Sequence, residues 1–105
     1  MPRQVEFMVN MSSEDRRRHR HVSEKGRILD FVVQYETKHD DRWLPVVRYD
    51  TAHGYPHKHQ SHADGTQDKT RMKMVDYNEG LNIAEDDVQS NWLHYKAGFL
   101  KGGEA

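Results

Sequence analysis

The sequence predicts an α+β fold, an antiparallel sheet of four to five strands with one long C-terminal helix packed on a face. Three observations carry this. Ile28 to Tyr35 and Trp43 to Tyr49 are two alternating runs joined by a short polar turn, as in a hairpin. Val88, Trp92, Tyr95 and Phe99 recur instead at helical spacing and form one apolar stripe. Finally, 105 residues without a cysteine make a single domain, 1–105, with one modest core and no disulfide staples.

The elements follow in order. Val5, Phe7 and Val9 alternate, so the chain opens on a half-buried strand. "SSEDRRRHRHVSEKG", residues 12–26, has one valine, no period and a closing glycine, and it reads as a mobile basic loop or arm. Its four arginines and two histidines within residues 16–21 have the look of a nucleic-acid patch. Glu14, Asp15 and Glu24 flank that run, so a solvated charged loop is the plainer reading.

Leu29, Phe31, Val33 and Tyr35 define one face of the clearest strand. "KHDD" turns the chain into "RWLPVVRYD", where Trp43, Val47 and Tyr49 share a face and Leu44, Val46, Arg48 and Asp50 the other. Pro45 has no N–H for a ladder and belongs at a bulge or an unpaired edge. "HKHQSH" alternates again, "ADGT" is a turn, and "QDKTRMKMVDY" returns as a further strand with Met72 and Met74 on one face. A helix is expected over 83–100, started by Asn82 and Glu85 in capping-box spacing and ended by Gly102 and Gly103. Its four stripe aromatics and aliphatics are core residues on this reading.

Charge and length exclude some functions. Sixteen Lys and Arg against seventeen Asp and Glu give a net charge of −1, which argues against global capture of nucleic acid. No stretch approaches the roughly 20 apolar residues of a membrane span. Met1 to Asn10 lacks the pattern of a signal peptide, so a soluble cytoplasmic protein is expected.

Chemistry gathers in "RYDTAHGYPHKHQSHADG", which holds His53, His57, His59 and His62 of the chain's eight histidines. On a strand, His57 and His59 project to one face about 7 Å apart, and one ion between them can meet both rings. With His53 and Asp50 they suit Zn, Ni or Fe as a divalent metal site of His53, His57 and His59. A second reading needs no metal: Arg48 and Lys58, with Tyr55 beside them, hold a phosphate while His53 or His57 moves protons and Asp50 orients them. Against both stands a polar edge strand rich in imidazole. Arg48 then pairs with a carboxylate across the sheet, and Asp50 accepts hydrogen bonds from the Thr51–Gly54 turn.

"FVVQYE", "RW-PVVRYDTAHG", "H-H…ADG" and "AEDDVQSNWLHYKAGFL" together resemble a family of small uncharacterised prokaryotic proteins, over about Ile28 to Leu100. That resemblance implies an α+β domain and supplies no activity. More loosely, "RYD-A…PHKH" followed by a helix is similar to the TumE-type toxins of toxin–antitoxin modules, through Arg48, Tyr49, Asp50, Ala52, Pro56, His57 and His59. Thr51 stands where that pattern has asparagine, and the insert before "PHKH" is short.

The chain is expected to be a small cytoplasmic protein of unknown activity. The first specific hypothesis is a toxin-like RNA- or phosphate-directed hydrolase with a histidine-rich site and an antitoxin-like protein partner. The alternative is a non-catalytic module that binds a protein partner or forms a homodimer. For that role the anionic stretch Asp76–Asp87 and the basic run Arg16–His21 are the contact surfaces.

Overall fold

The computed structural model describes residues 1–73 and 75–102. The elements are β1 (Arg3–Ser12), β2 (Asp15–Glu24), β3 (Arg27–His39), β4 (Arg42–Asp50), a one-turn 3₁₀ helix (Ala52–Gly54), β5 (His57–Ser61), β6 (Gln67–Arg71) and α1 (Tyr77–Gly102). Among the described residues the strands form one six-stranded antiparallel sheet in chain order, a meander with α1 on one face. The α+β class holds, with six strands in place of four to five.

The additional strand is β2, in the segment expected to be a mobile arm over 12–26. Asp15–Glu24 pairs with β1 on one side and β3 on the other. What replaces hydrophobic alternation there is ion pairing on both faces. Arg16, Arg18 and Arg20 project to the face without the helix, where Glu36 and Asp30 pair with them. Asp15, Arg17, His19 and His21 project to the helix side, since they stand opposite Thr37, Tyr35, Val33 and Phe31. A polar strand is stable when both its ladders and its charges are satisfied, and a hydrophobic-period reading does not register it.

Two hairpins use two-residue turns with both central residues at positive φ. These are Lys25 and Gly26 (51° and 77°) and Asp40 and Asp41 (51° and 60°). That conformation matches the twist of the flanking strands. In β4 the register moves from Tyr35↔Val47 to Glu36↔Pro45, so Val46 is a bulge next to the proline. The bulge buries Val46 and Val47 in succession, both at 1% exposure or less. It also reverses the face of what precedes it. Leu44 packs on the core, and Trp43, expected beside Val47 and Tyr49, lies on the other face under the Arg16 guanidinium, 4.0 Å from its ring centre.

The core lies between α1 and the central strands. Phe31, Val33, Tyr35, Val46, Val47 and Tyr49 meet Leu81, Ala84, Val88, Tyr95 and Phe99. Helix α1 begins six residues before the expected start at 83, because its cap is Asp76. Asp76 Oδ1 accepts from the Glu79 amide at 2.8 Å, and Asp76–Glu79 has the capping-box spacing expected at Asn82–Glu85. Gly80 conceals this first turn. A Cβ there would stand 3.3 Å from Phe31 Cζ, so any larger residue at that position would make the Phe31 ring give way by a few tenths of an ångström. Of the expected stripe, Val88, Tyr95 and Phe99 are buried while Trp92 is only partly buried, edge-on to Tyr35. The strand ends at Arg71 before Met72, which packs against the core; Met74 and the Gly103 stop lie outside the described residues.

Candidate metal centre on the open face of the sheet

Strand period and register build the centre. His57 and His59 are two apart on β5, so both rings leave on the face opposite α1. Asp50, at the end of β4, stands directly opposite His57, and Arg48 directly opposite His59. Asp50, His57 and His59 each offer one ligand atom, and these atoms lie within 4.8 Å of one another. His57 Nε2 is 2.8 Å from Asp50 Oδ1, and His59 Nε2 is 3.9 Å from Oδ2.

The far side of each ring is anchored. His57 Nδ1 lies 3.1 Å from the Tyr55 carbonyl oxygen and His59 Nδ1 lies 3.3 Å from Gln67 Oε1. An Nδ1–H donated to those oxygens leaves both Nε2 atoms directed at Asp50. Such outer hydrogen bonds fix the tautomer of metal-ligating histidines. Neutral imidazole has a single N–H. With Nδ1–H on the Tyr55 carbonyl, Nε2 faces the carboxylate either as an imidazolium donor or with its lone pair on a shared cation.

Asp50 is 5% exposed. Burial on its own would raise its pKa. Hydrogen bonds from Arg48 Nε at 2.7 Å and the Ala52 amide at 3.2 Å, with the charge of His57, outweigh it and hold the carboxyl below its ordinary value. Asp50 is therefore an anion at neutral pH, as a ligand must be.

The other expected site residues divide. His53 sits in the 3₁₀ turn at φ 70°, exposed, its ring centre 6.3 Å from that of His57 and roughly parallel to it. It flanks the group and is not one of the three convergent ligands. Tyr55 contributes its carbonyl and packs its ring 5.5 Å from His57, with the Arg71 guanidinium 4.5 Å from it on its face. Arg48 is tied to Asp50, two residues on in its own strand, and to Gln34 Oε1 across the sheet. It pairs with a carboxylate as the structural reading expected, but not with one on a neighbouring strand. The Asp50 bond to the Ala52 amide fits that reading too.

Lys58 is displaced from the expected phosphate site altogether. It projects to the helix side of β5, where Nζ donates to Tyr95 Oη at 2.6 Å and lies 3.7 Å from Asp87. The strand period that unites His57 with His59 necessarily sends the residue between them to the opposite face.

A second histidine group lies on the helix side, hidden within the basic run. Glu85 of α1 contacts His19 Nδ1, and His19 Nε2 lies 2.6 Å from His21 Nδ1. Phe7 stacks on His19 with ring centres 4.3 Å apart. Arg17 Nε is 3.0 Å from Glu85 Oε2, an ion pair without hydrogen-bond alignment. Burial, with His19 and Arg3 nearby, holds the His21 imidazole below its ordinary pKa. Because Glu85 and His21 sit on opposite sides of the His19 ring, the three form a chain rather than a ligand pocket. The repeated His-x-His spacing is the signal in the sequence; Glu85 carries none.

Residues 1–105 match the model of a domain of unknown function, DUF7718. The chain belongs to the DUF7718 family. This accords with the expected membership of an uncharacterised family. No curated protein and no solved structure matches it. Among the described residues of this DUF7718 chain, no helix is long and apolar enough to cross a membrane.

Proposed function

We propose that this DUF7718 protein is a metal-dependent phosphate-ester hydrolase centred on Asp50, His57 and His59. One observation carries the reading: two Nε2 atoms, each anchored through Nδ1, converge on one buried carboxylate. Two imidazoles and a carboxylate suit Zn, Ni or Fe(II). An ion held by these three ligands would keep coordination positions for water and substrate, and would supply a nucleophilic water near neutral pH. Water oxygen attacks phosphorus, the ester P–O bond breaks, and the departing oxygen takes a proton from His53, the exposed ring beside His57. Arg48 keeps Asp50 anionic and oriented. The resemblance to TumE-type toxins runs through these same strand-end residues and supports a cytoplasmic prokaryotic role with an antitoxin-like partner.

The test is calorimetric titration of metal-stripped protein with Zn²⁺, Ni²⁺ and Fe²⁺, followed by assay on bis(p-nitrophenyl) phosphate. Wild type should bind one ion, His57→Ala and His59→Ala should lose that binding, and His53→Ala should bind the ion yet turn over slowly. Equal metal binding by wild type and the His57→Ala/His59→Ala double variant would sink the reading.

A second reading, self-association, is favoured by the edge strand β1. Its outer ladder has no partner among the described residues, and Phe7 and Met8 are 43% and 48% exposed. Sedimentation of wild type and Phe7→Asp decides it: a dimer dispersed by the substitution supports it, and a wild-type monomer at high concentration removes it.

A further inference from the structure

The face that bears the centre is organised across its whole width. Register aligns its side chains in two neighbouring cross-strand rows. One is Glu6, Arg20, Val32, Asp50, His57 and Arg71; the other is Met8, Arg18, Gln34, Arg48, His59 and Lys69. These two rows hold five cations, Arg18, Arg20, Arg48, Lys69 and Arg71, against two carboxylates, Glu6 and Asp50. Asp30 and Glu36 on the same face pair with Arg20 and Arg18, and the chain as a whole has net charge −1. The basic run of the sequence is split by strand period. Its even-numbered arginines serve this face, and its histidines turn away from it.

We propose that a single-stranded polynucleotide lies across the strands along these rows. Its phosphates meet Arg18, Arg20 and Arg48 on one side of the centre and Lys69 and Arg71 on the other. The proposal rests on the reading of Asp50, His57 and His59 as a phosphate-ester site and names its substrate class.

Two clefts form the approach. One of about 410 Å³ has Val32 in its lining and Arg18, Arg20 and Arg48 around it. The next, about 320 Å³, shares Arg20, Val32 and Arg48 and reaches Asp50. The arginines are already oriented: Arg20 Nη1 is 3.1 Å from Asp30, and Arg18 Nη1 is 3.6 Å from Glu36. Each guanidinium has further N–H donors beyond those pairings.

Distance decides between a polymer and a small phosphate ester. β2 and β6 are four strand spacings apart, about 19 Å, which a single phosphate group does not bridge. Cations on both sides of the centre are useful to a ligand with several phosphates in series. A positive track following the backbone is how single strands are held.

The experiment measures binding of fluorescein-labelled 12-nucleotide RNA and DNA single strands by anisotropy, over a series of salt concentrations. It compares wild type, Arg18→Gln/Arg20→Gln and Lys69→Gln/Arg71→Gln. Both double variants should bind at least several-fold more weakly, and the log–log salt slope should fall by roughly 0.7 for each phosphate that is no longer neutralised. Zn²⁺ titration of the same variants should match wild type, because no ligand is altered, and it reports that they are folded. RNA and DNA arms separate the two kinds of strand. Loss of affinity in the β2 variant alone, with inorganic phosphate competing as well as the oligonucleotide, would replace the polymer by a small phosphate ester. Polyglutamate competing equally, or wild-type affinity in both variants, would also overturn the proposal. Absent metal binding with oligonucleotide binding intact would remove the centre and leave this face standing.

Discussion

Tyr49 of β4 and Tyr95 of α1 donate to the same oxygen, Asp87 Oδ2, at 2.5 and 2.6 Å. Lys58 reaches the same knot from β5, and Asn91 donates to the other carboxylate oxygen at 2.8 Å. Sheet and helix are thus joined through one part-buried carboxylate as well as through apolar packing. Burial first, then Asp87, pushes both phenols up, so they remain donors throughout the ordinary pH range.

Asp87→Ala should therefore destabilise the fold through donors left behind. Tyr49 and Tyr95 are 4% and 8% exposed, and each buried hydroxyl without an acceptor costs about 1–3 kcal/mol. Asp87→Asn retains an acceptor oxygen and should cost less. Urea denaturation of both variants checks the order. If Ala and Asn variants are equally stable, the shared oxygen is not what holds the tyrosines.

Acid should loosen the same joints. Asp15, Asp50 and Asp87 are each raised by burial but brought below their ordinary value by hydrogen bonds and, for Asp50 and Asp87, by nearby positive charge. For Asp15 the donors are Ser12, Tyr35 and Lys96, the last two joining β3 and α1 to β2. A carboxyl with a depressed folded pKa contributes stability that is fully present above its unfolded value, near 3.8. That contribution is lost as pH falls through the lower folded value, because the unfolded chain binds more protons in between. Unfolding free energy measured at a series of pH values should decline below about pH 4, and Asp87→Asn should show a shallower decline than wild type. A parallel decline would mean Asp87 does not contribute to it.

The apolar stripe of α1 is uneven, and substitutions should report that. Phe99 is 4% exposed and enclosed by the core, so Phe99→Ala should cost about 3–5 kcal/mol. Trp92, expected to be as deep from its spacing, is partly buried, with its ring centre 5.9 Å from that of Tyr35. Trp92→Ala should cost clearly less than Phe99→Ala. Chemical denaturation giving the reverse order would place the helix in a different rotation.

What is legible in the sequence follows from which forces leave a periodic trace. β3, β4 and the stripe of α1 are readable because burial imposes a period, and His57 and His59 are readable as partners for the same reason. The same period, applied to Lys58, already excludes it from their face. Asp50 joins them because a strand end and a short corner keep it close. Three things are less legible. Pro45 marks a bulge in β4, but nothing in the sequence announces that Val46 is the extra residue and that the faces before it shift by one. The first turn of α1 is interrupted by Gly80, whose reason is Phe31, far away in the chain. Glu85 reaches His19 only once the helix has docked.

β2 is the strongest case of a strand without an apolar signature, and hydrogen exchange can test it directly. An arm spanning 12–26 would have too few apolar groups to offset about 1–2 kcal/mol of backbone entropy per residue, and its amides would exchange quickly. In the sheet, Asp15–Glu24 is flanked on both sides: Arg18, for example, stands between Met8 of β1 and Gln34 of β3. Its backbone groups are therefore shared between two ladders, while the outer ladder of β1 is open among the described residues. Amides of Arg16 to Val22 should exchange slowly, close to those of β3, and those of Ser13, Glu14, Lys25 and Gly26 at the turns should exchange fast. The protection should also depend on charge. Glu36→Gln removes the carboxylate that Arg16 Nε meets at 2.6 Å and Arg18 Nη1 at 3.6 Å, and it should speed exchange in the first half of β2 more than in the second. Uniformly fast exchange across Arg16 to Val22 would return this segment to solution as an arm. It would also remove Arg18 and Arg20 from the open face.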